Sequence, residues 1–401
     1  MIDFPYLKEI VQTTESKILM VVADGLGGLA SGNIRQSELE AARIPNINRL
    51  AQHSACGLST PVAPGITPGS GPGHLALFGY DPLKYLIGRG ALEAMGIGLE
   101  LKAGDLAARG NFATIDSKGN LIDRRAGRIP SDQAVPIAKR LNKVSVPGIE
   151  VTVEHVLDYR FVLRLRGENL SEKISETDPQ ITGVPPLKVE AMESNASATA
   201  QAVNMFTANA FKEIADESIA NALLLRGWAN APSLPSFGDS LGLNPAAIAA
   251  YPMYRGLASI VGMKVIKTGP DFSSQVQTLN DCWDAHDYFF LHYKFTDSAG
   301  EDGDYNKKVT AIETLDSYIP ELLELNPDVL ILAGDHSTPA IMGAHSWHPV
   351  PFLIHSKWTH GEGVSRFNER ELRQGSLGVF EAKYIMSHAM AHSGKLSKFG
   401  P

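Results

Sequence analysis

Three short apolar runs near the two ends of the 401-residue chain constrain its fold more than any other feature. They are Lys-Ile-Leu-Met-Val-Val-Ala over residues 17–23, Tyr-Phe-Phe-Leu-His over 288–292 and Val-Leu-Ile-Leu-Ala over 329–333. Such runs are typical of strands that are buried on both faces of a parallel sheet. We therefore expect an α/β fold in which both ends of the chain build one mostly parallel sheet, sandwiched by helices.

The middle of the chain, from about residue 85 to 255, has a different pattern. Residues 160–166 alternate like half-exposed strands, while 131–141 and 194–214 look helical, the second run being rich in Ala and opened by Ser and Asn. This pattern predicts a separate α+β domain that is inserted into the first. The predicted boundaries are residues 1–84 with 256–401 for the sheet domain, and 85–255 for the inserted domain.

Charge and cysteine content narrow the functional class. A net charge of -8 and a sequence pI near 5.9 argue against a general nucleic-acid binder, which normally carries a basic face. Cys56 and Cys282 are the only cysteines, so we expect neither a disulfide framework nor a thiolate zinc cluster, and we expect a reducing, cytoplasmic location. We also expect no export signal and no membrane span, because every apolar run is shorter than about 18 residues.

Residues 64–74, Pro-Gly-Ile-Thr-Pro-Gly-Ser-Gly-Pro-Gly-His, contain four glycines and three prolines. Because glycine costs order and proline removes a backbone donor, the stretch predicts neither a good helix nor a good strand. It can present the hydroxyl of Ser70 at a tight turn among backbone amides, which suits a nucleophile that meets a bulky anion. An ordinary Gly/Pro surface loop has the same composition, so this stretch alone supports both interpretations.

Carboxylate and imidazole side chains follow all three apolar runs. They are Asp24 after the first run, Asp297 and Glu301 after the second, Asp335 and His336 after the third, and His345 just beyond. Ligands collect at the carboxyl ends of strands in open α/β sheets, so we expect these groups to lie together. Such mixed sets suit Mn²⁺ or Zn²⁺, and two ions about 3.5 to 4 Å apart are the usual clamp for displacement at phosphorus. An ion beside Ser70 would lower the pKa of its hydroxyl.

Arginines are concentrated in the predicted inserted domain. Residues 123–128 read Asp-Arg-Arg-Ala-Gly-Arg, and Arg109, Arg226 and Arg255 lie elsewhere in the chain. Guanidinium groups match the oxygens of phosphates and carboxylates, so the set predicts an anion-binding site in this acidic protein. Any one of these residues could equally belong to a solvated turn.

Taken together, the motifs resemble those of the archaeal-type cofactor-independent phosphoglycerate mutases, which belong to the alkaline phosphatase superfamily. Besides residues 123–128, the matching motifs are Ala-Asp-Gly-Leu-Gly at 23–27, Pro-Gly-Ser at 68–70, His-Leu-Ala-Leu-Phe-Gly-Tyr-Asp-Pro at 74–82, Gly-Arg-Gly at 88–90, Arg-Gly-Asn-Phe-Ala-Thr at 109–114, Thr-Asp-Ser-Ala-Gly at 296–300, Gly-Asp-His at 334–336, Ala-His-Ser at 344–346 and Pro-Val-Pro at 349–351. They occur in order over nearly the whole chain, so the resemblance is highly specific.

The resemblance implies an alkaline-phosphatase-like fold and an isomerase of glycolysis and gluconeogenesis that interconverts 3-phosphoglycerate and 2-phosphoglycerate. It implies a phosphoserine intermediate and two divalent ions, Mn²⁺ first with Zn²⁺, Mg²⁺ or Co²⁺ as alternatives, and no 2,3-bisphosphoglycerate. Ser70 would be the nucleophile. One ion would be held by Asp24, Ser70, Asp335 and His336, and the other by Asp297, Glu301 and His345. The expected substrate-binding residues are Arg109, Asp123, Arg124, Arg128, Arg226 and Arg255.

Glu301 departs from the family pattern, which usually has histidine four residues after the aspartate. A glutamate can bind a divalent ion, but its harder oxygen should favour Mn²⁺ or Mg²⁺ over Zn²⁺. We expect Glu301 to be a ligand that shifts metal preference. His348 could instead supply the missing imidazole.

Two other functions remain open at this stage. The first is a metal-dependent phosphatase or another phosphotransferase on the same scaffold, because the fold and the nucleophile do not determine the substrate. The second is a catalytically weakened binding or regulatory homologue, for which Glu301 is the only hint. The arginine-rich inserted domain favours a retained anionic acceptor and therefore a mutase.

Overall fold

The apolar runs at the two ends of the chain lie side by side in one sheet of a computed structural model that describes residues 1–30, 35–102, 104–361 and 364–400. The strands are β1 (Ile18–Ala23), β2 (Ala55–Thr60), β3 (Leu106–Ile115), β4 (Leu121–Asp123), β5 (Glu150–Leu157), β6 (Arg160–Arg166), β7 (Ala222–Asn230), β8 (Pro245–Ile248), β9 (Lys264–Val265), β10 (Tyr288–Tyr293), β11 (Val329–Ala333), β12 (Val350–Ser356) and β13 (Gly378–Glu381).

The large sheet has eight strands in the order β13-β2-β12-β11-β1-β10-β8-β9. Strand β12 runs antiparallel to both of its neighbours, and all other neighbouring pairs are parallel. Every residue of β1, β10 and β11 is buried. The predicted mostly parallel sheet, built from both ends of the chain, is therefore confirmed.

Helices cover both faces of this sheet. The α-helices are α1 (Leu7–Ile10), α2 (Glu38–Ala41), α3 (Pro45–Ala51), α4 (Ser70–Leu77), α5 (Arg89–Gly96), α6 (Ser131–Leu141), α7 (Ser197–Glu213), α8 (Phe237–Leu241), α9 (Pro252–Ile260), α10 (Phe272–Cys282), α11 (Phe295–Glu301), α12 (Tyr305–Glu324) and α13 (Ile385–His392). Ile312 and Leu315 of α12 share a core with Leu19 of β1. On the opposite face, Phe78 packs edge-to-face against Phe290 of β10. None of the helices in the described ranges could span a membrane.

The chain divides into two compact units. Met1–Leu86 with Leu234–Pro401 form the first unit, and Ile87–Ser233 form the second. The second unit contains a five-stranded antiparallel sheet in which β3 pairs with β4, β6 and β7, and β6 pairs with β5. Its core joins Phe112 and Phe161 of the sheet to apolar residues of α6 and α7. This unit has the predicted α+β character.

Residues 234–255 lie with the first unit, although the sequence pattern placed them in the inserted domain. The reason is β8, which pairs with β10 and so extends the large sheet. Only four residues long, β8 is too short to give a clear strand pattern in the sequence. Strand β6 also differs from expectation, since Val162 on its supposedly exposed face is buried against Ala94 of α5.

Candidate functional site

The sheet topology brings the acidic and histidine residues of the first unit to one edge. Asp24 directly follows β1, Asp335 and His336 follow β11, and Asp297 follows β10. Because β1 is hydrogen-bonded in parallel to both β10 and β11, the carboxyl ends of these three strands are adjacent. The predicted clustering at the strand ends follows directly from this register.

Two overlapping groups of these side chains could hold metal ions. The ligand atoms of Asp24, Asp335 and His336 lie within 4.8 Å of one another, and so do those of Asp297, His336 and His345. His336 belongs to both groups, and its ring stacks on that of His345 with centroids 3.6 Å apart. All of these side chains are buried except that of His345, which is 21% exposed.

Asp297 and Glu301 both lie on α11. Their spacing of four residues places them on the same side of this short helix. Glu301 is at its last position, where the side chain is 54% exposed and Oε1 lies 3.6 Å from His345 Nε2. It is therefore near the second group without being part of it.

Ser70 is the first residue of α4, so the prediction that residues 64–74 disfavour a helix was wrong for its second half. Pro72 is tolerated because the first turn of a helix needs no backbone donor there. Close packing explains the glycine at position 73, because a Cβ there would lie 2.3 Å from the carbonyl oxygen of Asp335. The helix thus passes close to Asp335, and Ser70 Oγ lies 3.3 Å from His336 Nε2.

The electrostatics of this edge fit bound cations. Asp24, Asp297 and Asp335 are buried carboxylates, and Oδ2 of Asp335 lies 3.1 Å from both His74 Nδ1 and His336 Nε2. Burial by itself would raise the pKa of Asp335, but His336 and His74 lower it well below its usual range. Burial opposes protonation of His336, while Asp335 raises its pKa to about 9. Buried carboxylates that converge with imidazoles at one place are a donor set that suits divalent ions.

Lys294 and His292 also contact these carboxylates, and the sequence analysis assigned neither a role. Lys294 Nζ lies 2.5 Å from Asp297 Oδ2, 3.1 Å from Asp24 Oδ2 and 3.1 Å from the hydroxyl of Tyr254. His292 Nε2 lies 3.3 Å from Asp24 Oδ2, and its ring stacks on Tyr254 at 3.8 Å. In the sequence, a role for Lys294 was indicated only by its position just before Asp297, and a role for His292 only by its position in β10.

Thr338 orients two of the candidate ligands. Its hydroxyl donates to Asp297 Oδ1 at 2.6 Å, so its oxygen can accept from His336 Nδ1, which is 2.9 Å away. With Nδ1 directed at Thr338, Nε2 is the ring nitrogen of His336 that faces Ser70 and the carboxylates. His348, the alternative to Glu301, belongs to neither group, and its Nδ1 lies 3.1 Å from Ser346 Oγ.

In the second unit, two of the predicted arginines are organised by Asp178, which the sequence analysis did not single out. Arg124 donates two hydrogen bonds of 2.8 Å to the two carboxylate oxygens of Asp178, and Arg226 NH1 lies 3.5 Å from the same side chain. Arg109 is opposite Arg226 in the β3–β7 ladder. A cavity of about 200 Å³ is lined by Arg89, Arg109, Glu176, Gln180, Arg226 and Gly227.

The other predicted substrate-binding residues have different surroundings. Asp123 accepts hydrogen bonds from the backbone N–H groups of Arg125 (2.8 Å) and Gly127 (2.6 Å), so its carboxylate holds a turn. Arg128 is exposed in that turn with φ +55°. Arg255 lies on α9 of the first unit, where it is exposed.

Comparison with known proteins identifies the family. The family model described as 2,3-bisphosphoglycerate-independent phosphoglycerate mutase matches residues 51–220. A Thermus thermophilus protein named "probable 2,3-bisphosphoglycerate-independent phosphoglycerate mutase" is 47% identical over 402 residues, which cover 99% of each chain. A protein of the same name from Aquifex aeolicus is 45% identical over 404 residues, covering 98% of this chain and 99% of its own.

Solved structures agree with this match. A Pyrococcus horikoshii protein has a TM-score of 0.82 and 27% identity, covering 97% of this chain and 100% of its own. A structure described as the cofactor-independent phosphoglycerate mutase from Thermoplasma acidophilum has a TM-score of 0.78 and 28% identity, covering 94% of this chain and 100% of its own. The similarity to relatives therefore extends over both units.

Proposed function

We propose that this chain, which belongs to the 2,3-bisphosphoglycerate-independent phosphoglycerate mutases, interconverts 3-phosphoglycerate and 2-phosphoglycerate. The proposed intermediate is a phosphoserine at Ser70. The observation that carries the phosphoserine step is the position of Ser70, whose Oγ is 3.3 Å from His336 Nε2 at the edge where the buried carboxylates meet. A serine in such surroundings is suited to take up a phosphoryl group.

Two divalent ions would complete the site, and the residues present fit them. We assign Asp24, Ser70, Asp335 and His336 to one ion, and Asp297, Glu301 and His345 to the other. Oxygen ligands outnumber imidazoles in this set, which favours Mn²⁺, while Mg²⁺, Co²⁺ and Zn²⁺ remain alternatives. When bound, the ions would supply the positive charge that favours ionised Ser70 and offsets the charge of the phosphoryl oxygens.

The reaction needs two phosphoryl transfers. Ser70 Oγ attacks the phosphorus of 3-phosphoglycerate, the bond from phosphorus to the 3-oxygen breaks, and that oxygen gains a proton. The 2-hydroxyl of the same glycerate then loses its proton and attacks the phosphoserine, which restores Ser70. A mutase must retain glycerate between these steps, because water would otherwise hydrolyse the phosphoserine.

We propose that arginine side chains retain the glycerate between the two transfers. Arg109, Arg124 and Arg226 are partly exposed and held in place by acidic partners, so their remaining donors are available to a carboxylate or a phosphate. Arg128 and Arg255 are further donors, and Asp123 holds the turn that carries Arg124 and Arg128. The unit formed by Met1–Leu86 and Leu234–Pro401 would then supply the metal site and Arg255, and the unit Ile87–Ser233 would supply the other substrate-binding residues.

The cellular setting is also a proposal. We infer that the enzyme acts in glycolysis and gluconeogenesis in the cytoplasm, with phosphoglycerate as its small-molecule partner and without 2,3-bisphosphoglycerate. The names of the relatives support the reaction, and the low cysteine content supports the compartment.

Phosphorus NMR of the purified protein with 3-phosphoglycerate tests the proposed function. The protein is first stripped of metal and then supplied with Mn²⁺, and no bisphosphoglycerate is added. We expect 2-phosphoglycerate to form only with metal. Inorganic phosphate as the product would indicate a phosphatase instead, and no reaction with any divalent ion would indicate a non-catalytic homologue.

A further inference from the structure

A buried lysine lies behind the candidate metal site without touching any candidate ligand. Lys308 of α12 has no exposed surface, and its Nζ donates to the carbonyl oxygens of Gly25 (2.9 Å), Gly27 (2.9 Å) and Thr338 (2.7 Å). An ammonium group has three N–H donors and no acceptor, so all of its hydrogen-bonding capacity is used. Three buried carbonyl oxygens that point at one place would otherwise repel one another.

The three carbonyl groups belong to the two loops that carry ligands of the first candidate ion. Gly25 and Gly27 follow Asp24, and Thr338 is two residues after His336. The loops also contact each other directly, since Thr338 N donates to Gly27 O at 3.1 Å. A Cβ at Gly25, where φ is +64°, would lie 2.6 Å from Thr338 Oγ1, so the two loops pass very close here. Lys308 therefore links the two loops where they are in direct contact.

Two glutamates, of which Glu38 is buried, accept hydrogen bonds from backbone N–H groups of the same loops. Glu38 accepts from Leu29 N at 3.2 Å and from Ala340 N at 2.6 Å. Glu369 accepts from Gly28 N at 2.8 Å. Burial lowers the pKa of Lys308, and the charges of Glu38 and Glu369 oppose that shift. The loops are thus held by a buried cation on their carbonyl groups and by carboxylates on their amides.

We propose that Lys308 is a positioning residue of the metal centre, whose ammonium group holds the Asp24 loop against the His336 loop so that both present their ligand atoms to one ion. It acts through backbone carbonyl groups and contacts neither metal nor substrate. Residues that orient metal ligands from behind commonly change metal affinity about 10- to 100-fold when they are removed. The inference rests on the metal site proposed above.

Lys395 provides a matched control. It is likewise a lysine with no exposed surface in the first unit, and its Nζ donates to the carbonyl oxygen of Thr14 at 2.8 Å, with Asp287 Oδ2 at 3.4 Å. None of these contacts involves a ligand-carrying loop. Replacing Lys395 removes a comparable buried ammonium group and so measures the general cost of losing one.

The test is an equilibrium titration with Mn²⁺ alone, in which electron paramagnetic resonance measures the free ion. Wild type, Lys308→Met and Lys395→Met are compared after thermal melting has established that each is folded. We expect the Kd for Mn²⁺ to rise about tenfold or more in Lys308→Met and to stay within about twofold in Lys395→Met. Lys308→Gln, whose amide can still donate to two carbonyl groups, should be intermediate and carries the test if the Met variant does not fold.

Several outcomes would overturn the inference. A wild-type Kd for Mn²⁺ in Lys308→Met or Lys308→Gln would show that Lys308 is a structural residue only. Equal losses in Lys308→Met and Lys395→Met would show a general effect of destabilisation. If wild type itself binds no Mn²⁺, both this inference and the proposed metal site fail, whereas tight wild-type binding with unchanged variants rejects the inference alone.

Discussion

The two charged regions of this protein differ in how their charges are compensated. At the strand ends of the first unit, Asp24 and Asp335 are completely buried, and their nearest charged partners are the side chains of Lys294 and His336, each 3.1 Å away. In the second unit, Arg124 and Arg226 share Asp178 and remain 28% and 27% exposed. Several buried carboxylates at one place suit a resident ion, whereas paired, accessible arginines suit an anion that enters and leaves. The two regions should therefore respond differently to mutation.

The largest expected effect is that of Ser70→Ala. Loss of the nucleophile should lower kcat at least about 10⁴-fold, because no phosphoserine can form. The fold should be unaffected, since alanine is a good helix former at the start of α4. A coupled assay of 2-phosphoglycerate formation measures the loss, and Ser298→Ala on α11 serves as the comparison. Substantial mutase activity in Ser70→Ala would remove the phosphoserine route.

Metal removal should destabilise only the first region. Saturation at about 100 times the Kd stabilises a protein by about 2.7 kcal/mol, so Mn²⁺ should raise the Tm of the metal-stripped wild type by several degrees. In Asp24→Asn this increase should largely disappear, because one buried ligand charge is lost. Calorimetry with and without Mn²⁺ gives both values. If Mn²⁺ raises the Tm of Asp24→Asn as much as that of wild type, Asp24 is not a ligand.

In the second region, mutation should weaken substrate binding and leave metal binding unchanged. Arg226→Ala should raise the KM for 3-phosphoglycerate about tenfold, since one charge-assisted contact is lost, and should leave the Kd for Mn²⁺ unchanged. Arg140→Ala is the control, because Arg140 is paired with Asp216 and Glu217 in the same unit and lines no predicted site. Equal changes of KM in both arginine variants would reject Arg226 as a substrate-binding residue.

A smaller change is expected at Glu301, which is partly exposed and lies at the edge of the metal groups. Glu301→His should shift relative affinity from Mn²⁺ towards Zn²⁺ by about tenfold, because imidazole is the softer ligand. Competition titrations with the two ions measure the ratio. An unchanged ratio would reject Glu301 as a ligand, and a shift in His348→Ala instead would favour the alternative.

The smallest effect is predicted for Asp123. Its carboxylate is used by two backbone N–H groups, so Asp123→Asn should change KM by about twofold at most and unfolding free energy by about 1 kcal/mol. Steady-state kinetics and denaturant unfolding measure the two quantities. A rise in KM as large as that expected for Arg226→Ala would indicate that Asp123 contacts the substrate directly.

Much of the first region could be predicted, because the carboxyl ends of neighbouring parallel strands lie at the same edge of a sheet. Once three apolar runs form neighbouring parallel strands, Asp24, Asp297 and Asp335 must lie together. The start of α4 could not be predicted, because the contact that favours it is the close approach of Gly73 to Asp335, which is distant in sequence. Lys308 and Asp178 were missed for a similar reason: each acts through partners on remote segments, and neither lies in a recognisable motif.

The most direct test of the account is peptide mapping by mass spectrometry after a rapid acid quench within the first turnover. The Mn²⁺-loaded enzyme is mixed with 3-phosphoglycerate, and formation of 2-phosphoglycerate is followed in the same samples. The account predicts one phosphoryl group on the peptide that contains Ser70, and none in Ser70→Ala. Formation of 2-phosphoglycerate without any phosphoryl group on Ser70 would contradict it.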